Sequence, residues 1–245
     1  MVGCAFPVLG VSFLLFIFKL GVAVIKLKNP PVNSLSLEVL TEFVISLEKL
    51  ENDKTFRGVI VTSDCPGIFS AGLDLTEMCG KSQAHYAEYW RAVQELWLRL
   101  YLSNLVVIAA INGVSPAGGC LISLTSDYRV LTLLGIVAPS WFKDTLVNTV
   151  GHRTAERALQ LGLLFPPAEA LRVGVDQVVP EDQVHSAALS VMARWLAFQV
   201  RDHARQLTKN LMRKPTADRL VKFISRDSIQ KSLRVYLDKL RQKKG

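Results

Sequence analysis

The sequence predicts an α/β core followed by a helical C-terminal region. Two observations lead there. Short β-branched runs alternate with amphipathic stretches up to residue 131, and after Pro139 only helical periodicity remains. The composition agrees, since 50% of the 245 residues are hydrophobic and 20% charged, which excludes disorder, a collagen-like repeat and a coiled-coil rod.

The elements follow in order. Residues 21–28 (GVAVIKLK) alternate and are rich in β-branched side chains, which predicts a strand broken by Asn29-Pro30-Pro31. Ser36 is placed to cap a helix over 37–51, whose apolar face is Val39, Leu40, Phe43, Val44, Leu47 and Leu50. A second strand covers 56–63 and a loop covers 64–72. A long helix over 83–102 carries Tyr86, Trp90, Val93, Trp97, Leu100 and Tyr101 at helical spacing, a stripe suited to core packing. Residues 105–112 (LVVIAAIN) are nearly all apolar, as expected of a strand covered on both faces. A glycine turn over 113–119 leads into a short helix over 120–125, and 127–131 reads as a further strand. Helices are then predicted over 140–150, 153–161 with Gly162 as its terminator, 168–173, 182–197, 202–212 and 216–243.

The net charge is +8, and residues 226–245 carry seven Lys or Arg against two Asp. That segment fits a solvated helix face, and no aromatic–basic interleaving points to nucleic acid. Cys4, Cys65, Cys79 and Cys120 form no CxxC pair, and His85, His152, His185 and His203 have no ligand spacing, so neither a disulfide framework nor a metal site is expected. Residues 5–18 are uncharged and strongly apolar but short for a bilayer, and they lack the features of a cleaved signal or an Arg-rich transit peptide. A membrane anchor spanning 5–25, a buried strand and an aberrant start are all compatible with them.

Two loops are placed to carry chemistry, since each follows an apolar strand and precedes a helix. One contains Ala71, Gly72, Leu73, Asp74 and Leu75; the other runs Asn112-Gly113-Val114-Ser115-Pro116-Ala117-Gly118-Gly119. Glycine-rich strand-to-helix turns present unobstructed backbone N–H groups, and a helix start adds unpaired donors and a positive dipole end. Two such turns facing one point would stabilise an oxyanion. Taken singly, each also fits an ordinary turn. There is no GxGxxG and no GxxxxGK[ST], and Ser115 reads as a turn residue because the following glycine falls one place too late for GxSxG.

The segments FSAGLDL, NGVSPAGG and SDYRVL resemble the crotonase (enoyl-CoA hydratase/isomerase) family, and the resemblance, strongest to its isomerase branch, covers residues 21–245. It implies a crotonase-like ββα spiral core over 21–139, a helical trimerisation region over 140–245, and an unmatched apolar segment over 1–20. It also implies an acyl-CoA substrate, a homotrimer and the mitochondrial matrix. No separate cofactor is implied, since coenzyme A is part of the substrate. The reaction implied is a double-bond shift from C3 to C2 of an enoyl-CoA. The thioester oxygen would sit on the N–H groups of Leu73 and Gly118, and Ala71, Gly72, Leu73, Asp74, Leu75 and Gly118 would bind substrate.

One part of the family pattern is absent. The isomerases carry their glutamate between the strand matching 127–131 and a Leu-Gly-Ile that precedes Ala-Pro. Here Leu131 runs through Thr132 and Leu133 into Leu134, and no carboxylate lies between Asp127 and Asp144. Where the hydratases carry a second glutamate this chain has Leu121. Asp144 is the nearest substitute and is predicted on a surface helix. The expectation is therefore an isomerase impaired by loss of its base. The alternative is a catalytically inactive acyl-CoA-binding protein or a splice variant.

Overall fold

The computed structural model describes residues 4–6, 13–18, 21–78, 80–131, 134–135, 140–161, 163–197 and 202–224. Cys79, the boundary at Pro139, the terminator at Gly162 and the basic segment 226–245 lie outside the described residues.

Strands β1 (Cys4–Phe6), β2 (Phe13–Phe18) and β3 (Val22–Leu27) begin the chain. Of the uses open to the apolar start, its described part takes the strand. Phe13–Phe18 pairs antiparallel with Val22–Leu27 over six positions, and β1 extends that edge. Among the described residues no helix is long and apolar enough to cross a membrane.

Next come β4 (Ser34–Leu35) and α1 (Leu37–Asn52). Ser36 caps α1 as predicted, its hydroxyl accepting from the Val39 N–H at 3.3 Å. Three strands follow, β5 (Gly58–Ser63), β6 (Gly67–Ile68) and β7 (Gly72–Leu73), then one 3₁₀ turn (Leu75–Glu77) and α2 (Gln83–Leu102). The pattern repeats as β8 (Val106–Ala110), β9 (Gly113–Val114) and α3 (Gly118–Thr125). Each turn of this spiral is a long strand, a short strand and a helix. The long strands β3, β5 and β8 lie parallel in one sheet, while the short ones form a second layer in which β4 pairs with β7 and β6 with β9.

The remainder is β10 (Tyr128–Leu131), β11 (Leu134–Gly135), α4 (Ser140–Val150), α5 (His152–Leu161), β12 (Leu164–Phe165), α6 (Pro167–Val173), β13 (Gln177–Val178), α7 (Val184–Ala197) and α8 (Asp202–Ile224). Strands β10 and β13 complete a seven-stranded sheet. Strand alternation divides the core. Ala23, Ile25, Leu27, Val107, Ala109 and Ile111 face α1, α2 and α3, whereas Val22, Val24, Val106, Ile108 and Ala110 face Val191 and Met192 of α7. Residues 105–112 are apolar throughout because both faces of β8 are covered.

One expectation is corrected. The predicted break between helices at 212 and 216 does not occur, and α8 runs through Pro215. A proline inside a helix forfeits the bond to the carbonyl four residues back. That carbonyl belongs to Leu211, a residue 72% exposed. Beyond it, buried Thr216, Ala217 and Leu220 hold the helix against the core.

Candidate active site

The two glycine loops meet. Gly72 and Leu73 form β7, and Gly118 opens α3. The Leu73 nitrogen lies 3.0 Å from where a Cβ on Gly118 would stand, and the Gly118 nitrogen lies 2.8 Å from the corresponding point on Gly72. Standard bond geometry then puts the two nitrogens within about 5.5 Å of each other. One oxygen at ordinary hydrogen-bond distance could accept from both. Their directions follow from the local backbone. The Asp74 N–H donates to the Leu35 carbonyl at 3.3 Å. Successive strand amides point to opposite sides, so that of Leu73 is turned from β4 toward Gly118. The Gly118 N–H belongs to the first residue of a helix, where no carbonyl four places back can take it.

The turn before α3 is strained. Ala117 has φ +46° and ψ −111°, and the Gly119 N–H donates to the Pro116 carbonyl at 2.9 Å, which makes a type II′ turn with alanine in the position glycine favours. Such a backbone costs on the order of 1–3 kcal/mol and persists only where its surroundings over-determine it.

Three side chains hold the first loop, Ser70 from within it and Asn33 and Tyr89 from elsewhere in the chain. Asn33, itself at φ +52°, donates to Ser63 Oγ at 2.8 Å and to the Phe69 carbonyl at 3.0 Å. The Ser70 hydroxyl donates to the Asn33 carbonyl at 2.7 Å and accepts from the Gly72 N–H at 3.1 Å. Tyr89 Oη accepts from the Asp74 N–H at 3.0 Å and donates to the Leu35 carbonyl at 2.7 Å. Burial raises the Tyr89 phenol, so it stays protonated as a donor. The only sequence signal for Asn33 is its residue type, which tolerates positive φ; Tyr89 was hidden in an aromatic stripe. Tyr89→Phe leaves the Leu35 carbonyl without its 2.7 Å partner. The variant is expected to lose about 1–3 kcal/mol of stability in urea unfolding and to bind thioester enolates more weakly.

The other predicted binding residues play different parts. Asp74 Oδ1 accepts from the N–H and hydroxyl of Thr76 at 2.9 and 2.7 Å, capping the 3₁₀ turn rather than pointing to the amide pair. Ala71 and Leu75 are exposed, and neither lines the cavity described next. Behind the amides lies a small cavity of about 10 Å³, bounded by Leu35, Leu40, Trp97, Leu121 and Ile122 with Leu73 and Gly118, and lined throughout by apolar residues. It has room for about one water. Cys120, next to Leu121 in the chain, is fully buried, and burial pushes its thiol up to about 12.

Asp144 corrects another expectation. It is on α4 but not on the surface: its side chain is 12% exposed and paired with Lys143 Nζ at 2.8 Å and Arg219 Nε at 3.2 Å. It does not line the cavity. Asp144→Asn is therefore expected to leave any isomerase rate unchanged, as measured by steady-state kinetics beside the parent.

Paired backbone donors from consecutive ββα turns, beside an apolar cavity, form an arrangement that could hold an acyl carbonyl as it gains negative charge. The chain belongs to the enoyl-CoA hydratase/isomerase family, whose pattern matches residues 18–244. It is 70% identical to "Enoyl-CoA delta isomerase 1, mitochondrial" of Rattus norvegicus, across 92% of this chain and 86% of that one. The Homo sapiens protein of that name is 69% identical across 92% of this chain and 82% of its own length. The crystal structure of human mitochondrial delta3-delta2-enoyl-CoA isomerase superposes with a TM-score of 0.83 at 65% identity, covering 96% of this chain and 100% of that one.

Proposed function

We propose that this chain binds 3-enoyl-CoA thioesters in mitochondria and promotes the shift of their double bond from C3 to C2, a step of fatty-acid β-oxidation. The approach of the Leu73 and Gly118 amides carries the reading, and the relatives named as mitochondrial delta isomerases support it. Removing a C2 proton makes a dienolate whose charge rests on the thioester oxygen. Two aligned N–H donors bind that charge more tightly than the neutral carbonyl, so they act mainly in the transition state.

The proton is the slow part. Among the described residues no carboxylate lines the cavity, and none occurs in the sequence from Tyr128 to Lys143. A positioned acid–base group contributes about 10²–10⁴-fold, and this chain is expected to lack that factor while keeping the donors. A hexenoyl tail also exceeds the small cavity behind the amides, so binding requires the side chains from α1, α2 and α3 around it to part. The test is conversion of 3-hexenoyl-CoA to its conjugated isomer, read in the near ultraviolet, beside calorimetry with the same ligand. Binding with slow turnover is the expected result; no binding at all would overturn the reading. Leu121 is 5% exposed and borders the cavity. Leu121→Glu, which places a carboxylate there, is expected to raise the rate.

Binding without turnover is the second reading, favoured by the same carboxylate-free lining; a rate no faster than the uncatalysed reaction would select it. We further infer a homotrimer, supported by the exposed Leu207 and Leu211 on α8. Sedimentation equilibrium tests this, and a monomer at all concentrations would exclude it.

A further inference from the structure

The molecule has a second concave site, at the opposite end of β8 from the amide pair. Asp127 marks it, accepting from the Val107 N–H at 2.9 Å where β8 begins. Lys209 Nζ donates to the carbonyl of Leu105 at 3.3 Å. The five residues of β8, roughly 3.3 Å each, separate this end from the loop that leads to Gly118.

The site is a cleft of about 540 Å³ whose lining includes Arg129, Arg205, Lys209 and Arg213, with Trp195 and Met212 on its apolar side. Charge within it does not balance. Asp127 is shared by Lys209 at 2.9 Å and Arg213 at 3.1 Å. Asp176 holds Arg129 at 2.8 Å. Asp202 is taken by Arg57 at 2.8 Å and stands 3.9 Å from Arg205. Among the described residues five cations thus stand with three carboxylates, Arg57, Asp176 and Asp202 flanking the cleft rather than lining it. The side chains of Lys209, Arg129, Arg205 and Arg213 are only 6, 13, 16 and 17% exposed, so water screens them poorly. Arg205 Nε and Nη1 are buried without a hydrogen-bond partner among the described residues. Burial, with the neighbouring charges of Arg213 and Arg205, pushes Lys209 down to about 8 despite the pull of Asp127.

We propose that this cleft binds a phosphate monoester. A dianion would neutralise the two surplus charges, and the Arg205 guanidinium, whose Nη2 donates to the Asn104 carbonyl at 3.3 Å, keeps Nε and Nη1 as donors for phosphate oxygens. The cleft is far larger than a bare anion needs, and the Trp195 and Met212 wall suits the organic part of an ester. The inference does not depend on the reading of the acyl site.

The test is calorimetric titration of the full chain with phenyl phosphate and with inorganic phosphate, against chloride at equal ionic strength. Phenyl phosphate is expected to bind, and more tightly than inorganic phosphate; equal affinities would keep the phosphate site but assign it to the free anion. Arg205→Met is expected to weaken binding about tenfold or more, and Arg205→Lys by less. Without ligand, Arg205→Met should unfold at no lower urea concentration than the parent, because it removes an uncompensated charge. Heats equal to those of chloride for both probes, or undiminished binding by Arg205→Met, would overturn the proposal.

Discussion

Replacing Gly72 by alanine is expected to abolish enolate binding while leaving the fold in place. Gly72 has φ +94°, where an L side chain is strained, and its Cβ would stand 2.8 Å from the Gly118 nitrogen and 3.1 Å from the Pro116 carbonyl. Both atoms are backbone, so no rotamer relieves the contact. The methyl would wedge β7 from the start of α3, between the two donors. Loss of one oxyanion donor costs about 10²–10³-fold, and here both are displaced. Acetoacetyl-CoA is a suitable probe because its enolate absorbs in the near ultraviolet. The parent should enhance that absorbance on binding and Gly72→Ala should not, with unchanged far-ultraviolet circular dichroism. Undiminished enolate absorbance in the variant would remove the amide pair from the mechanism.

The largest stability effect is expected at Asp127. Its carboxylate, 6% exposed, meets Lys209 and Arg213 of α8 and also joins the Val107 N–H, so it ties the C-terminal helix to the sheet. Asp127→Asn keeps the shape but leaves two buried cations facing a neutral amide. Breaking a buried pair in this way typically costs about 3–5 kcal/mol, to be read from urea unfolding. Lys209→Met in the same background should recover part of the loss.

The pH dependence has a definite sign. Burial opposes ionisation of Asp127, but the charges of Lys209 and Arg213 together outweigh it and hold the carboxyl below its ordinary value. Its contribution is therefore complete above roughly pH 4 and is lost as pH falls through the lower folded value. Lys209 acts at the other end. With its folded value near 8, below the ordinary 10.5, the unfolded chain binds more protons between them, and stability from this group rises with pH across that window. Asp127→Asn should remove the acid limb from a plot of urea midpoint against pH; an unchanged limb would assign it to other carboxylates.

Much of this was legible along the chain because the signals are local. Ser36 caps α1, Gln83 to Leu102 is helical end to end, and β8 is apolar because it is covered twice. Where reasoning along the chain failed, a distant contact had overruled a local preference. Pro215 reads as a break, yet buried residues on its far side hold α8 continuous. Asp144 reads as solvated, yet Arg219, distant in sequence, covers it.

The candidate site divides the same way. Its glycines could be found in the sequence because turns and close approaches demand that residue type wherever they occur. Which amides meet, and at what spacing, depends on β4 pairing with β7 and on a tyrosine hydroxyl bridging two loops from a helix. Most of the helices, the long strands of the core, the glycine turns and the lack of a carboxylate from 128 to 143 can be read along the chain. The convergence of Leu73 with Gly118, the enclosure of Asp127 by α8 and the surplus of buried cations around Arg205 arise on folding. Periodicity and turn chemistry act between near neighbours, whereas amide convergence and charge balance depend on groups that only folding brings together.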